Sequence, residues 1–431
     1  MKLRTKKGDT LKVKEDEDVV KKISLVEKHE STTIALEIDT NGIYSLIVKS
    51  EEDNTFDIKK LYNIPNKLPR YIQDFHATGI DLGTTECFCS VIRHDGPRPV
   101  QLDPLKHTYN MPSYIIFDEK KPTCGYIAVD KMKTKAEFIV FDAKRFIGKS
   151  FDKIALDSLW PFRVFKDAEN ALCEVETFYG RERKSPQEIS AVLLNRIKTE
   201  AEIFEGIELS EVVIGIPSEF SEKRMKATQS AAELAGWQKI HFIPESVAAA
   251  FAYCSEIKIS NNSNMLIFDF GGGTVDICLA KFKDGHLQIL ASDGDSFLGG
   301  RDYDNILFTH FHGILTHKFG IDFMVQRKKY SLKEICQDIK HTLSANDEAW
   351  LNVDDFICDS DDIITITRKE FEDLTSHFLL RIQDVIQRAL TKAKISKIDV
   401  NYVFRVGGGC RMPMIQKICG RTWGCPLCIF S

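Results

Sequence analysis

Residues 265–285 read MLIFDFGGGTVDICLAKFKDG: an apolar strand, a glycine-rich turn, a second apolar strand and a closing Asp284-Gly285. The same plan occurs earlier. GIDLGTT (79–85) ends an apolar strand at Asp81, and CFCSVIRHDG (87–96) returns to Asp95-Gly96. Asp269 answers Asp81, and Gly271 answers Gly83. The lead aspartates stand 188 positions apart and the closing turns 189. Two copies of one strand–turn–strand device, so nearly in register, imply a duplicated fold with two similar halves.

Outward from these units the text alternates. A helical stretch opens at Ser185-Pro186 (SPQEISAVLLNRIKTEAEIF), followed by a buried strand (EVVIGIP) and a helix (EKRMKATQSAAELAGW). A short strand (IHFIP) and an alanine-rich helix (ESVAAAFAYC) come next, then the linker KISNNSN. The second half continues through SLKEICQDIKHTLS and RKEFEDLTSHFLLRIQDVIQRALTKA, both read as helices, into a strand ending at Gly407-Gly408-Gly409. Strands alternating with helices predict an α/β fold. Upstream, residues 1 to 30 are dense in Lys, Glu and Asp and read as a solvated tail. TTIALEI and YSLIVKS read as a hairpin turned at Asn41-Gly42. The expected division is an N-terminal extension over 1–78, one lobe over 79–260 and a second over 261–431.

Composition bounds the function. The chain has 431 residues, 43% hydrophobic and 28% charged, as a folded globular protein should be. Its 63 acids exceed its 58 bases for a net charge of −5, which argues against nucleic acid as a partner. No apolar run reaches the roughly 18 residues of a membrane span. The charged N-terminus lacks a signal peptide's apolar core. Twelve scattered cysteines read as reduced thiols of a cytosolic protein, not as a disulfide framework. Cys425 and Cys428 have metal-ligand spacing, but zinc needs four ligands, so the pair reads as ordinary tail.

The twin turns suit phosphate for a physical reason. Glycine lets the backbone approach closely, and successive N–H groups then point into one concavity that holds anions. Threonine hydroxyls add donors, and a strand-end aspartate can serve Mg²⁺, an ion that keeps several of its own waters. Two such hairpins facing each other would clamp a polyphosphate from both sides. Gly148-Lys149-Ser150 ends like a P-loop, but that pattern needs a glycine where Ala143 stands, so it is rejected.

GIDLGTT, FDAKRFIG, IPESVAAAFAY, LIFDFGGGTVDI, GDSFLGGRDYD and VGGGCRMP occur in that order between about Gly79 and Cys419. This series resembles the nucleotide-site motifs of the 70-kilodalton heat-shock chaperones, and DAKRFIGKSF and IPSEFSEKR look closest to the microsomal stress-70 branch. The resemblance implies an actin-like ATPase fold, two ribonuclease H-like lobes around a cleft for ATP or ADP with Mg²⁺. It implies that Asp81, Gly83, Thr84 and Thr85 form the first phosphate loop, with Thr84 positioning the attacking water or bonding the γ-phosphate. Asp269, Gly271, Gly272, Gly273, Thr274 and Asp276 match the second loop. Asp81, Asp269 and Asp276 would hold Mg²⁺, mostly through water. Lys144 and Glu245 match the catalytic lysine and glutamate, and Asp269 joins them. Adenine would lie between Arg411 and His341, against Gly407, Gly408 and Gly409, with Lys340 and Ser344 reaching the ribose or ring. Pro217 and Arg224 match a switch proline and its arginine relay.

The pattern is also departed from. Glu86 stands for an aromatic, Pro244-Glu245-Ser246-Val247 for Asn-Glu-Pro-Thr, Glu219 for a tyrosine, His341 for an arginine and Arg301 for an acid. After Pro413 the text stops matching the family's pattern, and the expectation is a chain without the closing helix, linker and substrate-binding half, hence no client-peptide site. The expectation is a slow, Mg-dependent ATP hydrolase of the chaperone type, cytoplasmic or nuclear, partnered by J-domain proteins and nucleotide-exchange factors. A nucleotide-binding pseudo-ATPase is the alternative. An actin or sugar-kinase relative shares the hairpins but not FDAKRFIG or LGGRDYD.

Overall fold

The computed structural model describes residues 61–64, 77–93, 96–104, 106–167, 170–321, 323, 326–357, 360–423 and 428–429, and the backbone of strands between residues 2 and 50. Each copy of the repeated device forms a hairpin inside its own sheet. Thr78–Leu82 pairs antiparallel with Glu86–Arg93, Asp81 opposite Phe88. Ser263–Phe270 pairs antiparallel with Val275–Lys283, Asp269 opposite Asp276. Each lead strand takes a parallel neighbour on its far side, Glu211–Ile216 in the first sheet and Val400–Val406 in the second. Each return strand takes an antiparallel neighbour, Gly96–Pro99 and His286–Asp295. The duplicated text is therefore a duplicated topology. Asp284 and Gly285 sit at φ 51° and 75°, the paired positive values that match a tight turn to the right-handed twist of its strands. Residues 94–95 of the other closing turn lie outside the described residues.

Met265 to Phe268 are fully buried, which explains their unbroken apolar run: both faces of that strand are covered. In the first lobe the helix Pro186–Glu205 starts at Ser185, whose hydroxyl accepts from the Glu188 amide while the Glu188 carboxylate accepts from the Ser185 amide. It buries Ile189, Leu194 and Ile197 in one core with Val212 and Ile214 of the sheet and Ala231 of the helix Glu222–Leu234. The helix Glu245–Glu256 follows the parallel strand Lys239–Pro244 of the first sheet yet packs on the second. Its Tyr253 stacks on Phe404 at 4.1 Å and donates to the Arg405 carbonyl at 2.9 Å. It is the element that ties the lobes together.

The long helix expected over residues 368–393 is two, Arg368–Leu374 and Ser376–Ala393. Thr375 breaks it: buried, its hydroxyl donates to the Phe371 carbonyl at 2.7 Å. Upstream, the hairpin expected near residue 40 is Thr32–Ile38 paired with Tyr44–Ser50, and its Asn41-Gly42 turn lies outside the described residues. Where a charged tail was expected, Thr10–Glu15 pairs antiparallel with Asp18–Ser24. Leu11 and Val13 alternate there with Lys12 and Lys14, a strand period that net charge hides. Among the described residues no helix is long and apolar enough to cross a membrane.

Candidate functional site

The tips of the two hairpins meet. A Cβ on Gly272 would fall 2.3 Å from Thr85 Cγ2, and one on Gly273 would fall 2.7 Å from Thr84 Oγ1. Only glycine permits that approach. The first loop is held from behind by Ser113, whose hydroxyl donates to the Gly83 carbonyl at 2.8 Å. The second is pressed by two more glycines. A Cβ on Gly299 would lie 2.5 Å from the Gly273 nitrogen, and one on Gly407 (φ 86°) 2.5 Å from the Phe270 carbonyl oxygen. Gly408 and Gly409 continue this backing loop, with Gly409 against the Phe270 ring.

Beside the tips lie four carboxylates and one ammonium. Lys144, on the short helix Ala143–Phe146, donates to Glu245 Oε1 at 2.5 Å, and both side chains are largely buried. Glu245 is the first residue of the bridging helix. Burial alone would lower Lys144, but the Glu245, Asp81 and Asp276 carboxylates outweigh it and raise its pKa. Asp81 faces open space in the cleft, yet protein surrounds it at longer range. That desolvation, then the Glu245 charge, push it up to about 6 against the pull of Lys144. Asp276 is pushed up to about 7 by burial and by Glu245, with the Thr274 side chain opposing. Asp269 is raised well above the usual range by burial, then by Glu245, Asp276 and Asp81. Acids that crowd one another this way are short of positive charge.

The donors are all hard oxygens, which suits Mg²⁺. Among the described residues no three Asp, Glu, His or Cys side chains converge as a ready-made metal cage.

Arg224 reaches the backbone around Lys144. Arg224 donates to the Lys144 carbonyl at 2.6 Å and to the Ile147 carbonyl at 3.3 Å, with its guanidinium 3.7 Å from the Phe220 ring centre. It therefore grips the backbone that carries Lys144; burial lowers its pKa to about 10. Pro217 opens the following turn, accepting from the Phe220 amide at 3.1 Å, and Ser218 bonds Ser246 on the bridging helix at 2.8 Å. Across the cleft, Lys340 pairs with Asp304 at 2.7 Å and donates to the Gly300 carbonyl at 3.2 Å. The Ser344 hydroxyl donates to the Lys340 carbonyl. His341 and Arg411 are exposed. Gly148, the false P-loop glycine, packs on Arg224, and Lys149 stands 4.3 Å from the centre of the Phe297 ring.

A buried polar clamp between the lobes was not assembled from the sequence. Arg301 donates to Asp142 Oδ1 at 3.1 Å and to the Tyr114 hydroxyl at 2.8 Å. Lys333 donates to the same hydroxyl at 2.7 Å, and Trp160 Nε1 to Asp142 Oδ2 at 3.1 Å. Arg145 and Asp302 pair beside it at 2.8 Å. Burial would raise Asp142, but Arg301, Arg145 and Lys333 hold it below the usual carboxylate range. The signal was in plain sight: an arginine after LGG where an acid was expected, and an aspartate opening DAKRF.

Comparison with known proteins decides the family. The family described as "Hsp70 protein" matches residues 77–428. The chain belongs to the Hsp70 family. Its fold is thus the actin-like ATPase fold, two related sheets around a cleft. A heat shock 70 kDa protein of Emericella nidulans is 34% identical over 347 residues, 79% of this chain and 53% of that protein. Heat shock cognate 70 kDa protein 3 of Dictyostelium discoideum is 34% identical over 351 residues, 79% and 55%. A ribosome-associated molecular chaperone of Zygosaccharomyces rouxii is 32% identical over 347 residues, 79% and 56%. The chain spans about half the length of the curated relatives it matches. The part matched in this Hsp70-family chain takes in both hairpins and the clamp.

Proposed function

We propose that this chain binds ATP between its lobes and hydrolyses it slowly, as a chaperone-type ATPase serving protein folding or quality control. The observation that carries this reading is the Lys144–Glu245 pair set beside two interlocked glycine-rich hairpins. Backbone N–H groups of both tips, with Thr84, Thr85 and Thr274, would cradle the phosphates. Lys144 would neutralise charge developing on the transferred phosphoryl group, the kind of electrostatic help that dominates such chemistry. Thr84 would orient the attacking water, and Glu245 would accept its proton with Asp269 beside it. Asp81, Asp269 and Asp276 would hold Mg²⁺, which supplies charge neutralisation between the phosphates. Gly407, Gly408, Gly409, Lys340, His341, Ser344 and Arg411 would form the nucleoside side, with Lys340 freed from Asp304 to reach the ribose. Pro217 and Arg224 would couple the nucleotide state to the lobes.

The division into an extension over 1–78 and lobes over 79–260 and 261–431 belongs to the same reading. So do a cytoplasmic setting and partnership with J-domain proteins and nucleotide-exchange factors. Its support is family membership and the chaperone names of the relatives. The test is calorimetric titration with ATP and Mg²⁺, followed by single-turnover phosphate release on the same sample. Release above a Lys144→Ala control is expected. Binding without release would leave a nucleotide-gated module, and absence of binding would overturn the reading.

A further inference from the structure

The second sheet has a strand that the repeated device does not supply. Leu61–Asn63 pairs antiparallel with the outer strand His286–Asp295, with Tyr62 opposite Leu287 and Asn63 opposite His286. The Ile64 amide extends the ladder, donating to the Gly285 carbonyl at 2.8 Å. The first sheet has no counterpart among the described residues, because its equivalent strand, Gly96–Pro99, pairs only with Glu86–Arg93. Two side chains anchor the added strand. Tyr62 and Ile64 pack on the apolar cluster formed by Val247, Ala250, Leu287 and their neighbours. The Tyr62 ring meets Phe251 edge to face, 5.7 Å between centres. Leu61 points outward and is 47% exposed. Burial, then the nearby Cys278, push the Tyr62 hydroxyl up to about 12, as expected of a ring seated in apolar surroundings.

Phe251 belongs to the helix Glu245–Glu256, whose first residue meets Lys144. That helix lies on the same cluster as the added strand. An edge strand is an open row of backbone donors and acceptors unless something closes it. Here the closing segment comes from the same chain and touches the element that positions Glu245.

We propose that residues 61–64 are an intramolecular strap: they cover the His286–Gln288 end of the second sheet's outer edge and, through Tyr62 against Phe251, brace the helix that presents Glu245. Tyr62 is on this account a positioning residue that acts through Phe251. The strap works by lowering local opening of the helix, a free energy that amide exchange reads directly. Only its kinetic consequence rests on the ATPase reading above.

The test is hydrogen exchange on the full chain, with Tyr62→Ala, Tyr62→Phe and Ile64→Pro variants. Tyr62→Ala removes the ring, and Ile64→Pro removes the N–H that bonds Gly285. Both should speed exchange of amides in His286–Gln288 and in the helix around Phe251 by roughly tenfold or more, while Tyr62→Phe, which keeps the ring, should behave as the parent. Single-turnover phosphate release should fall about threefold to tenfold in the first two, with ATP affinity unchanged, because the loops are untouched. Equal exchange at both places in parent and Tyr62→Ala would overturn the strap. Faster exchange at the edge alone, with the helix and turnover unaffected, would overturn its bracing role. A parent that binds ATP without releasing phosphate would count against the ATPase reading, and the exchange comparison would still decide the strap.

Discussion

At the scale of single residues, the site is defined by how charge is crowded. Lys144 is the one ammonium in hydrogen-bond contact with Glu245 among the described residues, and its raised pKa keeps it charged throughout the physiological range. Lys144→Ala should cut single-turnover phosphate release by about a hundredfold or more while ATP binding persists, the size of loss seen when one preorganised charge is removed. The raised aspartates give a pH signature of definite sign. In the native state Asp81 and Asp276 hold protons up to about 6 and about 7, whereas in the unfolded chain they release them near the ordinary value of 3.8. The native state binds more protons in that window, so their contribution to stability declines as pH rises through it. Asp276→Asn should flatten part of this slope. Thermal melts of parent and variant from pH 5 to 8, without nucleotide, should converge at low pH and separate in favour of the variant at high pH.

At the scale of elements, close approach is what assembles the parts. Gly299 begins the helix Gly300–Phe319 and presses on the second loop's backbone, where a side chain has nowhere to move. Gly299→Ala should displace that loop and cost on the order of a hundredfold in turnover, with circular dichroism unchanged. The clamp acts between elements too. Arg301 and Asp142 are almost wholly buried, so Arg301→Ala leaves a carboxylate without its main partner. The expected loss is about 3–5 kcal/mol in denaturant unfolding, and the double variant Arg301→Met with Asp142→Asn should recover much of it. Asp142 also sits at φ 60°, a region an aspartate tolerates better than most residues, and its bonds to Arg301 and Trp160 hold it there.

At the scale of the whole molecule, two similar sheets face each other and one helix belongs to both. A ligand that touches both hairpin tips should therefore stabilise the entire described unit. ATP with Mg²⁺ at about a hundred times its dissociation constant should add about 2.7 kcal/mol, read as a melting-point rise of several degrees. Gly299→Ala should abolish most of that rise.

Local pattern decided a good deal. The duplicated hairpins, the strands at Glu211–Ile216 and before Gly407, and the helix starting at Ser185 were legible because strand period, turn glycines and caps are written over a few adjacent residues. The motifs picked out Lys144 and Glu245 together and Arg224 separately, and the fold brings all three close. The break at Thr375 was not legible, since it depends on a buried hydroxyl choosing a backbone carbonyl. Nor was the clamp, whose partners Arg301 and Asp142 lie 159 positions apart in the chain. The same holds for the Leu61–Asn63 strand, which pairs with residues more than 220 positions away. Periodicity fixes which residues lie inside an element and which outside. Which buried charge meets which, and what closes an exposed sheet edge, follow from how distant segments pack, and only the tertiary structure decides that.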